Sequence, residues 1–195
     1  MIAMDKRKQA GLVTAPKRTS AGSADKCAPR SAAPKRPSNR VKAEAFELKT
    51  LADKAAERFD NDAALDLYSR ALKLLPARPR GASAVARFEL LMGRAEIHLR
   101  HGEQDGFFSD VRQAEALAAQ ERDDCRRARA LIALSDRLAW RGSCEEAVGA
   151  LDQAEELLGQ SGDGQLWARL AIARASVASF AADFAHLGEY CTNAL

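Results

Sequence analysis

The sequence predicts an all-α protein, about four antiparallel helix hairpins preceded by a disordered basic leader. Three observations point there. The composition is rich in strong helix formers, the charge is split between the leader and the rest of the chain, and a helix–turn–helix pattern recurs about every 40 residues.

Apolar residues make up 47% of the 195 and charged residues 29%, which suffices for a sizeable core. Alanine and leucine dominate the apolar set, and no run is rich in valine or isoleucine, which argues against a sheet. Residues 1–42 differ in texture from residues 43–195. They hold eleven lysines and arginines against Asp5 and Asp25, so this segment carries +9 and the remainder −6. Pro16, Pro29, Pro34 and Pro37 interrupt it, large apolar side chains are few, and the segment cannot bury enough surface to offset its ordering entropy. It has no apolar h-region of a secretory signal, and no stretch of the chain reaches the ~18 apolar residues of a membrane span.

From Ala43 onward helical periodicity sets in. A first helix, about 43–59, ends at the Asp60-Asn61-Asp62 signal, and a second, 62–75, carries Ala64, Tyr68 and Ala71 and stops before Pro76. Pro76, Pro79 and Gly81 make a longer loop before the third helix, 83–101. His101-Gly102-Glu103 separates this from the fourth, 105–119. The fifth, 124–141, places Leu131, Leu134 and Leu138 at i, i+3 and i+7. After Arg141-Gly142-Ser143 the sixth, 144–159, repeats the pattern with Leu151, Ala154 and Leu158, and Ser143 with Glu146 matches a capping box. Ser161-Gly162-Asp163-Gly164 leads to the seventh, 165–181, and Ala182-Asp183-Phe184 turns into an eighth, 184–195. Gly102 falls on Gly142 at an offset of 40. The units are about 44–78, 83–121, 124–160 and 165–195, the last cut short. Its uncapped end is expected to pair with another copy, unless the chain is a fragment of a longer reading frame.

These residues resemble the tetratricopeptide repeat. Ala64-Leu65, Tyr68, Ala71-Leu72 and Pro76 follow the A-L-x-x-Y-x-x-A-L-x-x-x-P half of its consensus, Gly102 and Gly142 match its turn glycine, and Ala182-Asp183-Phe184 resembles its G-D-Y turn. Three departures stand out. The unit is nearer 40 residues than 34, Phe59 occupies the first turn-glycine position, and Phe107 occupies a small-residue position, so that hairpin should splay. Units of this length, with the Phe88-Glu89-Leu90-Leu91-Met92-Gly93-Arg94 texture, are also similar to the repeat regions of bacterial signalling ATPases that accompany cyclases and transcriptional activators.

The resemblance implies a right-handed superhelix whose first helices line a concave groove suited to a partner's peptide or helix. It places Phe46, Lys49 and Asp53 there from the first unit, and Glu89, Met92 and Glu96 from the second. Arg129, Ile132 and Asp136 come from the third, and Arg169, Ile172 and Ser176 from the fourth. Asp53, Glu96 and Asp136 form a column that would favour a basic partner, unless it is simply a solvated face. The basic leader itself could fold back onto that column. The resemblance therefore implies a non-catalytic scaffold, or alternatively a sensor or regulatory region of a signalling or transcriptional regulator.

Other functions find less support. Lys6-Arg7-Lys8, Pro16-Lys17-Arg18 and Pro34-Lys35-Arg36-Pro37 could neutralise phosphates, but the leader has no aromatic to stack on bases, so nucleic-acid binding would be weak and salt-sensitive. No phosphate-binding glycine loop, nucleophile elbow or H-E-x-x-H is present. His98 and His101 lie three apart near Glu103 without a third ligand, and read best as cations at a helix C-terminus. No catalytic residue, cofactor or metal is therefore expected. Cys27, Cys125, Cys144 and Cys191 form no C-x-x-C pair and suit free thiols in a reducing cytoplasm. Phe107, Phe108, Trp140 and Trp167 suit packing between hairpins or an exposed anchor.

Overall fold

The computed structural model describes residues 39–159 and 164–181, which form seven α-helices and no strand. They are α1 (Asn39–Glu57), α2 (Asn61–Leu74), α3 (Ala82–Arg100), α4 (Gln104–Glu121), α5 (Asp124–Trp140), α6 (Cys144–Leu158) and α7 (Gly164–Phe180). Each lies within a few residues of its expected span. The expected eighth helix, the pairing end with Tyr190, and the leader up to residue 38 with its fold-back fall outside the described residues. One boundary moves. Asn39–Lys42 belong to α1 rather than to the leader. The composition shift at Ala43 lies just before the first buried apolar residue among those described, Ala45, whereas the helix simply starts once Pro37 is past, because Arg40, Val41 and Lys42 contain no breaker.

Helices pack in chain order. α1 pairs with α2, α3 with α4 and α5 with α6, while α2, α4 and α6 also touch the helix that comes after them. The first helices meet as well, α1 with α3 and α5 with α7. Three-residue connectors, 58–60, 101–103 and 141–143, leave each hairpin no option but to reverse. Fully buried alanines (Ala64, Ala71, Ala114, Ala128, Ala147 and Ala154) allow the backbones to approach. Phe88, Leu90, Leu91, Ile97, Leu151 and Leu158 fill the interior between them.

Four connectors close in the same way. The N–H groups of Asp60, Glu103, Asp123 and Ser143 reach back five residues to the carbonyls of Ala55, His98, Ala118 and Leu138 at 2.8–3.0 Å. The residue before each, Phe59, Gly102, Arg122 or Gly142, has a left-handed backbone and donates three residues back. This is the Schellman ending of a helix, which satisfies carbonyls the helix leaves open. Gly102 and Gly142 share φ = +81°, and Phe59 (φ = +61°) does occupy the turn-glycine position of the first hairpin. Arg122 (φ = +57°) does the same between α4 and α5 without a glycine to announce it. Side chains in this region cost about 1 kcal/mol or more relative to glycine. The Arg122 side chain is exposed, so little offsets that strain. Arg122→Gly is therefore expected to raise unfolding stability by about 0.5–1 kcal/mol in urea titration.

Helix starts follow local chemistry. Asp60 accepts from the Ala63 N–H at 3.2 Å and Asp123 from the Arg126 N–H at 3.0 Å, both as N-caps. Ser143 stands at the N-cap of α6, but its side chain makes no capping hydrogen bond, so the expected capping box does not form. The Pro76–Gly81 loop is tied down from α4, where Glu121 Oε2 accepts the Gly81 N–H at 2.7 Å.

Candidate functional site

The first helices present one face to a common open cavity of about 640 Å³. Of the twelve residues expected on the concave positions eleven line this cavity, among them Lys49 and Asp53 of α1, Glu89, Met92 and Glu96 of α3, Arg129, Ile132 and Asp136 of α5, and Arg169 and Ile172 of α7. Ser176 joins them, while Phe46 is exposed and stays outside the lining. Among the described residues the second helices contribute only Tyr68 and Phe107. The 40-residue register explains the convergence, because equivalent positions on successive first helices meet directly. Arg129 Nη1 donates to both Glu89 oxygens at 2.9 and 3.0 Å, and Ser176 Oγ donates to Asp136 Oδ1 at 3.0 Å, each across 40 residues.

The cavity is lined by four carboxylates (Asp53, Glu89, Glu96 and Asp136) and four cations (Lys49, Arg129, Arg137 and Arg169). The acidic column is therefore not bare. Asp53 accepts from Lys49 Nζ at 2.7 Å, Glu96 pairs with Arg100, and Asp136 pairs with Arg137. Pairs as exposed as these are each worth roughly 0–1 kcal/mol to stability, but they remove the free negative charge that a basic partner would seek. The floor between them is apolar, formed by Met92, Leu99, Ile132, Ala133, Leu166 and Ala173. Ile172 is 59% exposed above that floor. The cavity thus has an apolar base with fixed polar groups at its edges.

Tyr68 closes one side. It enters because Gly93 faces it; a Cβ at that position would lie 2.9 Å from the phenol ring. Tyr68 Oη donates to Asp53 Oδ1 at 2.6 Å. Burial, and then the neighbouring Asp53 carboxylate, push this phenol well above its ordinary value of 10.0. Because the folded chain holds the proton more tightly than the unfolded chain, Tyr68 contributes stability that is fully present below pH 10 and is lost as pH rises above it. Raising the pH from 9 to 11 is thus expected to destabilise the wild-type chain more than Tyr68→Phe, as read by urea midpoints. Equal losses would show that the phenol is not held this way.

Behind the cavity wall lies a polar network that no sequence pattern announces. Arg94 Nε and Nη2 donate to Asp110 Oδ2 and Oδ1, both at 2.7 Å, while Arg94 Nη1 donates to Ser69 Oγ at 3.0 Å. The bidentate fork joins α3 to α4, and the Ser69 bond adds α2. His98 adds to it, with Nε2 3.7 Å from Asp110 Oδ2 and Nδ1 2.7 Å from Glu103 Oε2. Gly106 makes room for that imidazole, since an added Cβ would lie 2.6 Å from His98 Nδ1. The small residue of this hairpin is thus Gly106, one place before the buried Phe107. The one local hint is an Asp inside an otherwise apolar helix face at 110, three after Phe107 and one before Val111.

His98 sits in the last turn of α3 and His101 is the C-cap that follows it, both at the helix C-terminus as expected, and His101 Nε2 lies 3.1 Å from Asp62 Oδ1. Among the described residues no three of His, Cys, Asp and Glu converge as metal ligands would. Phe107 and Phe108 pack edge to face at 5.5 Å and Trp167 rests on the core, but Trp140 is 61% exposed, with the Phe180 ring 6.5 Å away and the Arg137 guanidinium carbon 6.0 Å from the Trp140 ring centroid. Cys125 is exposed and Cys144 half-buried, both as free thiols, while Cys27 and Cys191 lie outside the described residues. No described helix is long and apolar enough to cross a membrane. Neither a protein-family model nor a curated protein matches the chain.

Proposed function

We propose that this chain is a non-catalytic protein–protein interaction scaffold of the tetratricopeptide-like kind. In this reading the hairpins stack as a right-handed superhelix, and the cavity is a stretch of concave groove that takes a partner's peptide or helix. The observation that carries it is the convergence of the four first-helix faces on one cavity with an apolar floor and charged edges. Support also comes from the repeated Schellman endings and from the pairs that join residues 40 apart, since both are what a stack of equivalent units produces. The paired acids make the partner's apolar residues, rather than a net basic charge, the main source of affinity.

The test is affinity capture with the full chain, then mass spectrometry, in parallel with Ile172→Asp. Ile172 is exposed, so its replacement should change stability by no more than about 0.5 kcal/mol. It should nonetheless weaken a specific partner at least tenfold, because it sets a charge in the apolar contact. A partner held equally well by both chains would show that the groove is not the docking site.

A further inference from the structure

The two edges of the cavity differ in how fully their charges are satisfied. On the edge formed by Asp53, Glu96 and Asp136, each carboxylate has its own cation. The opposite edge, at the first two turns of α5 and α7, opens into a side recess of about 400 Å³ where Arg126, Arg129 and Arg169 gather. Among the described residues only Glu89 and Asp123 face them from the recess lining. Arg129 is taken up by Glu89 and Arg126 by Asp123. Arg126 Nε is buried without a hydrogen-bond partner among the described residues, with Glu89 Oε1 4.0 Å away. Arg169 has no hydrogen bond or ion pair among the described residues, although it lines both the recess and the main cavity.

Among the described residues three guanidinium groups facing two carboxylates leave one positive charge, and it is held where an incoming chain would pass from the recess to the apolar floor. Arg126 and Arg129 are kept in place from below, with their guanidinium carbons 6.0 and 5.7 Å from the Phe88 ring centroid. A planar guanidinium pairs best with a carboxylate, which it can grip with two donors. We infer that this corner is a subsite for a carboxylate side chain, an Asp or Glu at one end of an amphipathic partner segment whose apolar residues lie on Met92, Ile132 and Ile172. The inference rests on the groove reading and adds the partner's chemistry to it: apolar along its length, acidic at the end that meets Arg169.

The probe is a library of random 16-residue peptides displayed on phage and fused at their C-termini, so that no terminal carboxylate is available. It is panned against the full wild-type chain, Arg169→Glu and Ile172→Asp, and the enriched peptides are then synthesised with amidated ends. Wild type should enrich apolar segments with Asp or Glu at one end. Replacing those acids by Gln or Asn should weaken binding about five- to tenfold at low salt, and less at high salt. Arg169→Glu should enrich Lys or Arg at the same peptide position. Apolar peptides that need Ile172 but show no acidic preference would overturn the subsite and leave the groove standing. If wild type enriches no peptide, or only peptides indifferent to Ile172→Asp, both readings fall. A gain of affinity for Gln-substituted peptides when a free C-terminal carboxylate is restored, dependent on Arg169, would reassign the corner to main-chain carboxylates and overturn the side-chain claim.

Discussion

Phe88→Ala is expected to lower unfolding stability by about 3–5 kcal/mol, the cost of emptying a large aromatic site in a packed interior. Phe88 is 1% exposed and belongs to α3, the helix that contributes most to the cavity lining. Its ring also lies under Arg126 and Arg129. The loss should therefore be felt twice, as a lower urea midpoint and as looser arginines at the recess. Phe88→Leu, which keeps most of the volume, should cost only ~1 kcal/mol. A midpoint for Phe88→Ala that falls by less than the equivalent of about 1 kcal/mol, at unchanged slope, would contradict the packing described.

The second large effect is at Asp110. Its side chain is 2% exposed and accepts both donors of the Arg94 fork. Asp110→Ala leaves that guanidinium facing an apolar gap. Removing one partner of a buried ion pair costs about 3–5 kcal/mol. Arg94 is 22% exposed and keeps Ser69, so the lower end, about 3 kcal/mol, is expected here. The double replacement Arg94→Met/Asp110→Leu should recover most of the loss, because no charge is then left without a partner. A double-mutant cycle in urea measures this, and additive single losses would refute the coupling.

How much of the molecule is legible in its sequence depends on how far each signal extends along the chain. Helix positions and groove residues repeat at a fixed interval, so counting alone places Glu89, Arg129 and Arg169 on one face. Phe59 betrays its left-handed backbone because it aligns with Gly102 and Gly142. Arg122 adopts the same backbone but has no glycine in register, and its sequence reads only as a connector. The Arg94–Asp110–His98 network is hidden for a different reason. Its members occur in one unit, 12 or more residues apart except along α3, so neither periodicity nor local spacing marks them. The acids of the column illustrate a partial case. Lys49–Asp53 and Glu96–Arg100 are i,i+4 pairs that spacing alone predicts, whereas the Ser176 contact to Asp136 depends on how α7 meets α5. Trp140 reads as packing or anchor because an aromatic at a helix end has the same local sequence in either case.

The order of the helix contacts has a consequence for how the chain comes apart. The main contacts join elements one or two places apart, so no distant element clamps α7 in place among the described residues. Among the described residues α7 packs chiefly on α5 and α6, whereas α3 is held by α1, α2 and α4, so backbone amides in α7 should exchange before those in α3. Arg169 and Ile172 would then be the first cavity walls to go. A ligand that bridges them to Met92 and Arg129 would act as a strut, slowing exchange in α7 most and in α3 least.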